Sequence, residues 1–430
     1  MKKHYPLIMI FVLLILLLAG CQVESTSPAV SEVPATEEMV ANNYEPVAVT
    51  PPVKPEPTTT AAPPPTEPPP TATPESEGIE GGEPEMADDP DRETAMERFR
   101  VAGLFAAYSQ EPVINLDTEE VLNWEFPGAV IFHDGQFHMF ANVISWWPQQ
   151  VAVHYLTSQD GIEWTPAAAE PIFTGEMLQG ANTAFFTAFA SSVLVEDDGT
   201  WVLYYSTVDR PTDWPPVFEG GIGRATAPNP SGPWTPDDDL VLRAGGEDDW
   251  DSLGVRDASV LRVDDGYVMY YSGYKDTGSN VEGGIVRANS AIGRASSDNG
   301  VTWTKLPEPV LSGSGESGAW DEYDVQAPRV VRTPDGWVMA YSSSIQTACC
   351  MHKPGIRKHG MAVSDDGLNW VCSDDVVFSP SREFGVSAVW EKALAYHEGS
   401  YFLYMQAGKV NYPDISWSTY LATYDGVLAP

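Results

Sequence analysis

Five times between residues 129 and 404 the chain places a short apolar stretch before a turn and an alternating aromatic stretch after it. The paired stretches are Ala129–Phe140, Ser192–Tyr205, Ser259–Tyr271, Arg329–Tyr341 and Ala393–Tyr404, and their turns carry Gly135, Gly199, Gly266, Gly336 and Gly399. Alternation of period two on both sides of an Asp-Gly or Glu-Gly turn predicts a β-hairpin. An extended chain points successive side chains to opposite faces, and glycine accepts the backbone angles the turn demands. The turn glycines recur about every 65 residues, so each hairpin is the core of a larger repeated unit.

The rest of each unit also reads as strands. Third strands end in Ser158-Gln-Asp-Gly-Ile-Glu-Trp164, Ser296-Ser-Asp-Asn-Gly-Val-Thr-Trp303 and Ser364-Asp-Asp-Gly-Leu-Asn-Trp370, with Ser231-Gly-Pro-Trp234 as a variant. Serine and aspartate oxygens in such turns cap backbone N–H groups, and the tryptophan packs between sheets. Short fourth strands follow at Glu170-Pro-Ile-Phe, Leu240-Val-Leu, Glu308-Pro-Val-Leu and Val376-Val-Phe. The fifth unit runs out after Ser418–Thr423, while a spare strand of the same type, Glu111-Pro-Val-Ile-Asn-Leu116, precedes the first. That strand is expected to complete blade five and leave no open edge. The expected fold is all-β: a five-bladed β-propeller of four-stranded blades, closed by an N-terminal strand, over residues 98–430.

The first hundred residues differ in kind. A basic start (Lys2, Lys3), an apolar stretch to Leu18 and the ending Ala19-Gly20-Cys21 form an export signal over 1–21, too short to span a bilayer. The ending resembles a bacterial lipobox, which implies lipidation of Cys21 and an outward-facing, lipid-anchored protein. Residues 22–97 are rich in Pro, Thr and Glu and poor in large apolar side chains, so they are expected to form a disordered, extended stalk.

A net charge of −38 argues against nucleic acid as a partner and leaves the membrane to the lipid anchor alone. Beyond Cys21 the cysteines are Cys349, Cys350 and Cys372. An exported chain is compatible with one disulfide, from Cys372 to Cys349 or Cys350. Cys349-Cys350-Met351-His352 has no second cysteine pair or histidine cluster nearby, so no metal site is expected.

In a propeller the first strand of each blade lines the central channel, and a site forms where these strands begin. Counting nine residues back from each turn glycine gives Phe126, Ala190, Asp257, Ala327 and Trp390; ten back gives Glu125, Phe189, Arg256, Gln326 and Val389. With the Ile222-Gly-Arg-Ala225 and Ile292-Gly-Arg-Ala295 third strands and Val255-Arg-Asp-Ala258, residues 109–430 resemble the five-bladed glycosidase superfamily that includes glycoside hydrolase families 43 and 32. The resemblance implies a carbohydrate substrate, hydrolysis by inner-strand carboxylates, and Asp257 as one of them. A channel cation such as calcium is implied by the resemblance alone; the residues themselves call for no cofactor.

Cleaving a glycosidic bond needs one acid to protonate the leaving oxygen and one carboxylate to attack or to activate water. This sequence departs from the family at two of three places. Phe126-Pro127 stands for its first Asp-Pro, and Gln326 stands for its acid, where an amide cannot serve as a proton donor of that kind. Glu125, Asp324 and Glu391 are the candidates to act beside Asp257. Arg256, Gln326, Trp124, Trp390 and Lys392 are the candidates to bind the sugar. Two functions follow: a cell-surface glycosidase, or a carbohydrate-binding propeller that has lost its machinery. The turn at 296–303 also resembles those of sialidases, but those need six blades and a cluster of arginines that is not evident here.

Overall fold

The computed structural model describes residues 98–430 except 115, 117–123, 147–149, 181–187, 208–220, 282–284, 345–356, 379–383, 386–387 and 412–413. The leader, Cys21, the 22–97 segment, Cys349 and Cys350 therefore lie outside the described residues.

Five antiparallel blades form the propeller ring. Blade one runs Trp124–His133, Gln136–Trp146 and Gln150–Ser158, then the short outer pieces Thr165–Pro166 and Phe173–Thr174. Blade two is Phe189–Val195, Trp201–Ser206, Ile222–Ala227 and Thr235–Pro236. Blade three is Gly254–Val263, Gly266–Val281, Ile285–Ser297 and Thr304–Lys305. Blade four is Gln326–Thr333, Gly336–Ser344, Arg357–Ser364 and Val371–Cys372. Blade five is Ala388–His397, Ser400–Asn411 and Asp414–Asp425, completed by Ala106–Ala107 from the front of the domain.

That completion differs from the expected strand. Ala106 and Ala107 pair with Thr423 and Ala422, whereas Glu111–Leu116 adds a bridge at Ile114, where the N–H groups of Val113 and Ile114 both point at Thr419 O. Other blades show why. The outer edge is a two-residue pair followed by a second touch: Thr235–Pro236 then Leu242 in blade two, Thr304–Lys305 then Leu311 in blade three. Prolines in the Glu-Pro stretches have no N–H to give a longer ladder. The front of the domain also reaches blade four. Phe99 exchanges backbone hydrogen bonds with Cys372 O and Asp374 N, and Arg98 binds Asp321 at 3.3 Å.

Side chains join the blades at their seams, each filled by an apolar cluster. Tyr204, Tyr270 and Tyr404, all on second strands, donate to the carbonyls of Gly300, Gly367 and Gly161 in the Trp-ending turn of the next blade. Within those turns Ser158 Oγ accepts Gly161 N–H, and Asp160 Oδ1 accepts Ile162 and Glu163 N–H. The Ile-Gly-Arg-Ala strands serve the same seams. A Cβ on Gly223 or Gly293 would lie 2.3 or 2.4 Å from the ring of Tyr205 or Tyr271, so glycine is what lets the aromatic lie flat across the strand. Arg224 and Arg294 act electrostatically on the Tyr204 and Tyr270 hydroxyls, opposing the rise in pKa that burial gives them.

Cys372 is a buried thiol that forms no disulfide among the described residues, and the partners expected for it, Cys349 and Cys350, lie outside them.

Candidate functional site at the mouth of the channel

Every inner strand carries one extra residue near its start. The register slips between Pro127 and Ala129, Ala190 and Ser192, Arg256 and Ser259, Gln326 and Arg329, and Val389 and Lys392. A bulge kinks the strand and re-aims its side chains. It also lifts an N–H out of its own ladder, and the preceding blade satisfies it: Asn142 Oδ1 accepts Ala190 N–H (2.8 Å), Ser206 Oγ accepts Asp257 N–H (2.8 Å) and Ser272 Oγ accepts Ala327 N–H (2.7 Å). Asp257 and Ala327 have φ of 59° and 53°, a left-handed conformation that aspartate tolerates better than most side chains.

Asp257 is thus held on all sides. Its carbonyl accepts from Arg329 Nη1 at 3.4 Å. Its Oδ2 accepts from Ser272 Oγ at 3.0 Å and lies 3.5 Å from Tyr274 Oη, which also donates to Gln326 Oε1 at 3.1 Å. Its Oδ1 lies 3.9 Å from Arg256 Nη2. Burial alone would lower the Arg256 guanidinium, but Asp257, Tyr274 and Glu391 around it carry it above its usual range. Ser272 and Tyr274 on Oδ2 and the Arg256 cation beside Oδ1 favour the ionised form of Asp257. The residue is 8% exposed, as is Glu391, which sits in the matching bulge of blade five. Blade four lies between them, and its Arg329 spans the gap, donating from Nε to Lys392 O at 3.1 Å and from Nη1 to Asp257 O. The channel continues below as a cavity of about 240 Å³ lined by Ser192, Ser259, Arg329 and the inner-strand backbones.

The other candidates are distributed differently. Glu125 is not at the mouth. It is 3% exposed in the seam between blades one and five, accepting Leu116 N–H at 2.6 Å and Thr419 N–H at 3.1 Å. Burial pushes its carboxyl up to about 7 against the opposing pull of those two bonds. That value would suit a general acid, yet the carboxylate is turned into the ring closure and away from the channel, and geometry decides. Lys392 is likewise corrected as a sugar ligand. It is fully buried and gives its ammonium to Ala327 O (2.7 Å) and Ser342 Oγ (2.6 Å), joining blades four and five. Asp324 is buried and accepts from Ser343 Oγ at 3.2 Å. Trp390 is half-buried, edge-on to Trp417 at 6.3 Å. Trp124 opens blade one beside Trp417 in the backbone pairing, and its side chain lies outside the described residues.

Tyr274, Ser272 and Arg329 were not among the candidates because the aligned columns covered only the starts of inner strands. A signal existed for one of them. Tyr205-Ser206, Tyr271-Ser272 and Tyr341-Ser342 end the aromatic stretches of three blades, and Ser206 and Ser272 are the hydroxyls that hold the bulges. Among the described residues no group of three or more His, Cys, Asp and Glu side chains is placed to hold a metal ion.

No protein-family model and no curated relative matches the sequence. Solved structures do match in fold. A putative glycoside hydrolase from Bacteroides ovatus is 19% identical over 76% of this chain and 98% of its own, with a TM-score of 0.55. A member of family 130, described as mannoside phosphorylases containing glycoside hydrolases that target β-1,2 mannosidic linkages in Candida mannan, is 18% identical over 76% of this chain and 96% of its own, at 0.54. A thermostable family-43 glycoside hydrolase is 17% identical over 73% of this chain and 94% of its own, at 0.52. At these identities the likeness is one of fold.

Proposed function

We propose that the propeller is a glycosidase acting on an oligosaccharide or polysaccharide at the channel mouth over blades three to five. The observation that carries this reading is the pair of bulges in blades three and five. They bring Asp257 beside Arg256 and Glu391 within the electrostatic reach of the same guanidinium, with Asp257 held as an ionised acceptor. In this reading Asp257 attacks the anomeric carbon or takes the proton of an attacking water, and Glu391 protonates the leaving oxygen. Arg256 supplies a cation within reach of both carboxylates, and the half-buried Trp390 offers a flat apolar surface to a sugar ring. The leader and the Pro-rich segment support a protein displayed at the cell surface by a lipid on Cys21, where polymeric glycans are within reach.

Gln326 favours a second reading. An amide stands where the resembling family keeps its acid, as it would in a propeller that binds glycans without cleaving them. One experiment separates the two: the protein is incubated with arabinans, xylans, fructans, mannans and aryl glycosides, with release of sugar and binding both measured. Turnover that falls at least about a hundredfold in Asp257→Asn supports the enzyme. Turnover unaffected by that substitution would remove Asp257 from the chemistry, and binding without turnover would establish the second reading.

A further inference from the structure

We propose that Tyr274 is the positioning residue of this site: its single hydroxyl proton, shared between Gln326 and Asp257, orients the Asp257 carboxylate and tunes it as an acceptor. The inference rests on the reading of Asp257 as the working carboxylate. Tyr274 belongs to the second strand of blade three, where it pairs with Gly254. It is buried, and its hydroxyl lies between two blades, 3.1 Å from Gln326 Oε1 and 3.5 Å from Asp257 Oδ2. A phenol has one proton to give. At these distances the proton lies mainly toward Gln326, and Asp257 receives a weaker share.

The neighbouring hydroxyl is differently constrained. Ser272 Oγ accepts the N–H of Ala327, which commits its own proton to Asp257 Oδ2. Oδ2 is therefore the oxygen held by Ser272 and Tyr274, and Oδ1 lies beside Arg256. Gln326 then has a function that glutamate could not fill. A carboxylate at this position would set a second negative charge beside Asp257, whereas a neutral amide oxygen parks the Tyr274 proton without adding charge. When charge gathers on Asp257 the phenol can swing a few tenths of an ångström toward Oδ2. When Asp257 is neutralised, the proton returns to Gln326.

The test uses the full chain with ¹³C-labelled aspartate carboxyls, the Asp257 resonance being assigned by its loss in Asp257→Asn. Tyr274→Phe removes a donor and is expected to raise the Asp257 titration midpoint by about half a unit to one unit. Gln326→Met removes the competing acceptor, hands the phenol proton to Asp257 and is expected to lower the midpoint by a similar amount. Opposite shifts from two near-isosteric changes are not produced by a merely structural role. Midpoints that stay put, or that move the same way in both variants, overturn the proposal. On whichever 4-nitrophenyl glycoside the wild type cleaves fastest, Tyr274→Phe is expected to cut kcat about tenfold with KM within twofold. If no glycoside is cleaved, the glycosidase reading falls, while the carboxyl titration still decides the role of Tyr274.

Discussion

The hydroxyl of Tyr404 in blade five donates to the carbonyl of Gly161 in blade one at 2.6 Å, across 243 residues of chain. It is the ring-closing copy of a bond made twice more, by Tyr204 to Gly300 and by Tyr270 to Gly367. Blade four has Ala340 at the corresponding position, and blade five, which would receive the bond, has no Trp-ending turn. Blade one has Phe140, which meets Trp234 of the variant turn in blade two edge-on at 5.8 Å. The donor is present where its acceptor turn is present.

Tyr404→Phe is expected to destabilise the domain by about 1–3 kcal/mol, because a buried carbonyl loses its partner and no water replaces it. Tyr270→Phe should cost a similar amount. Urea unfolding followed by tryptophan fluorescence checks both; a Tyr404→Phe midpoint equal to wild type would mean that the ring does not depend on this bond.

Arg98 does in blade four what Lys305 does in blade three. Lys305 sits opposite Ala295 and binds Asp251 at 2.6 Å; the matching position opposite Ala362 is Cys372, and Asp321, the counterpart of Asp251, takes Arg98 instead. Arg98→Ala leaves a buried carboxylate without its cation and is expected to cost about 3–5 kcal/mol. Adding Cys372→Lys should recover at least half of the loss. Thermal unfolding of the two variants checks this, and a double variant no more stable than Arg98→Ala alone would refute the equivalence.

Glu125 gives the fold a pH dependence of definite sign. Burial carries its carboxyl from an ordinary 4.5 up to about 7 in the fold, so the folded state binds the proton more tightly than the unfolded chain. The associated stability is fully present below about pH 4.5 and is lost as pH rises through 7, about 3 kcal/mol in all. His138 works in the opposite direction, since burial lowers its pKa and acidification charges it more readily in the unfolded chain. The quantity to measure is therefore a difference. Between pH 5 and pH 8 the wild type should lose stability relative to Glu125→Gln, and parallel stability curves for the two proteins would rule the linkage out.

Between the two remaining partners of Asp257, Glu391 is expected to matter more than Asp324. Asp324 is engaged by Ser343 within blade four, while Glu391 lies within the electrostatic reach of Arg256 across the mouth. Glu391→Gln should lower kcat on an unactivated glycoside by about 10²–10⁴ and Asp324→Asn by less than tenfold. Initial rates on one oligosaccharide substrate check the order, and the reverse order would transfer the acid role to Asp324.

Much of the architecture is legible in single residues. Gly135, Gly199, Gly266, Gly336 and Gly399 mark the hairpins, the Ser-Asp-Gly-Trp turns mark the ends of third strands, and a spare segment at the front answers a missing strand at the back. These signals are local. Side-chain alternation and the backbone demands of a turn are properties of a few consecutive residues, so they can be read wherever they occur. The site was legible to a lesser degree. Columns counted from the turns place Glu125 in line with Arg256 and Gln326, yet the one carboxylate closes a seam while the other two residues border the mouth. Lys392 follows Glu391 directly and points into the ring instead. Tyr274 enters the site from a different strand altogether. A bulge reverses which face a residue occupies, and the hydroxyls that satisfy it arrive from a neighbouring blade some fifty residues away. Strand, turn and repeat were determined by the sequence alone; which side chains meet Asp257 was decided by the closed ring, because that depends on contacts between blades that no local pattern encodes.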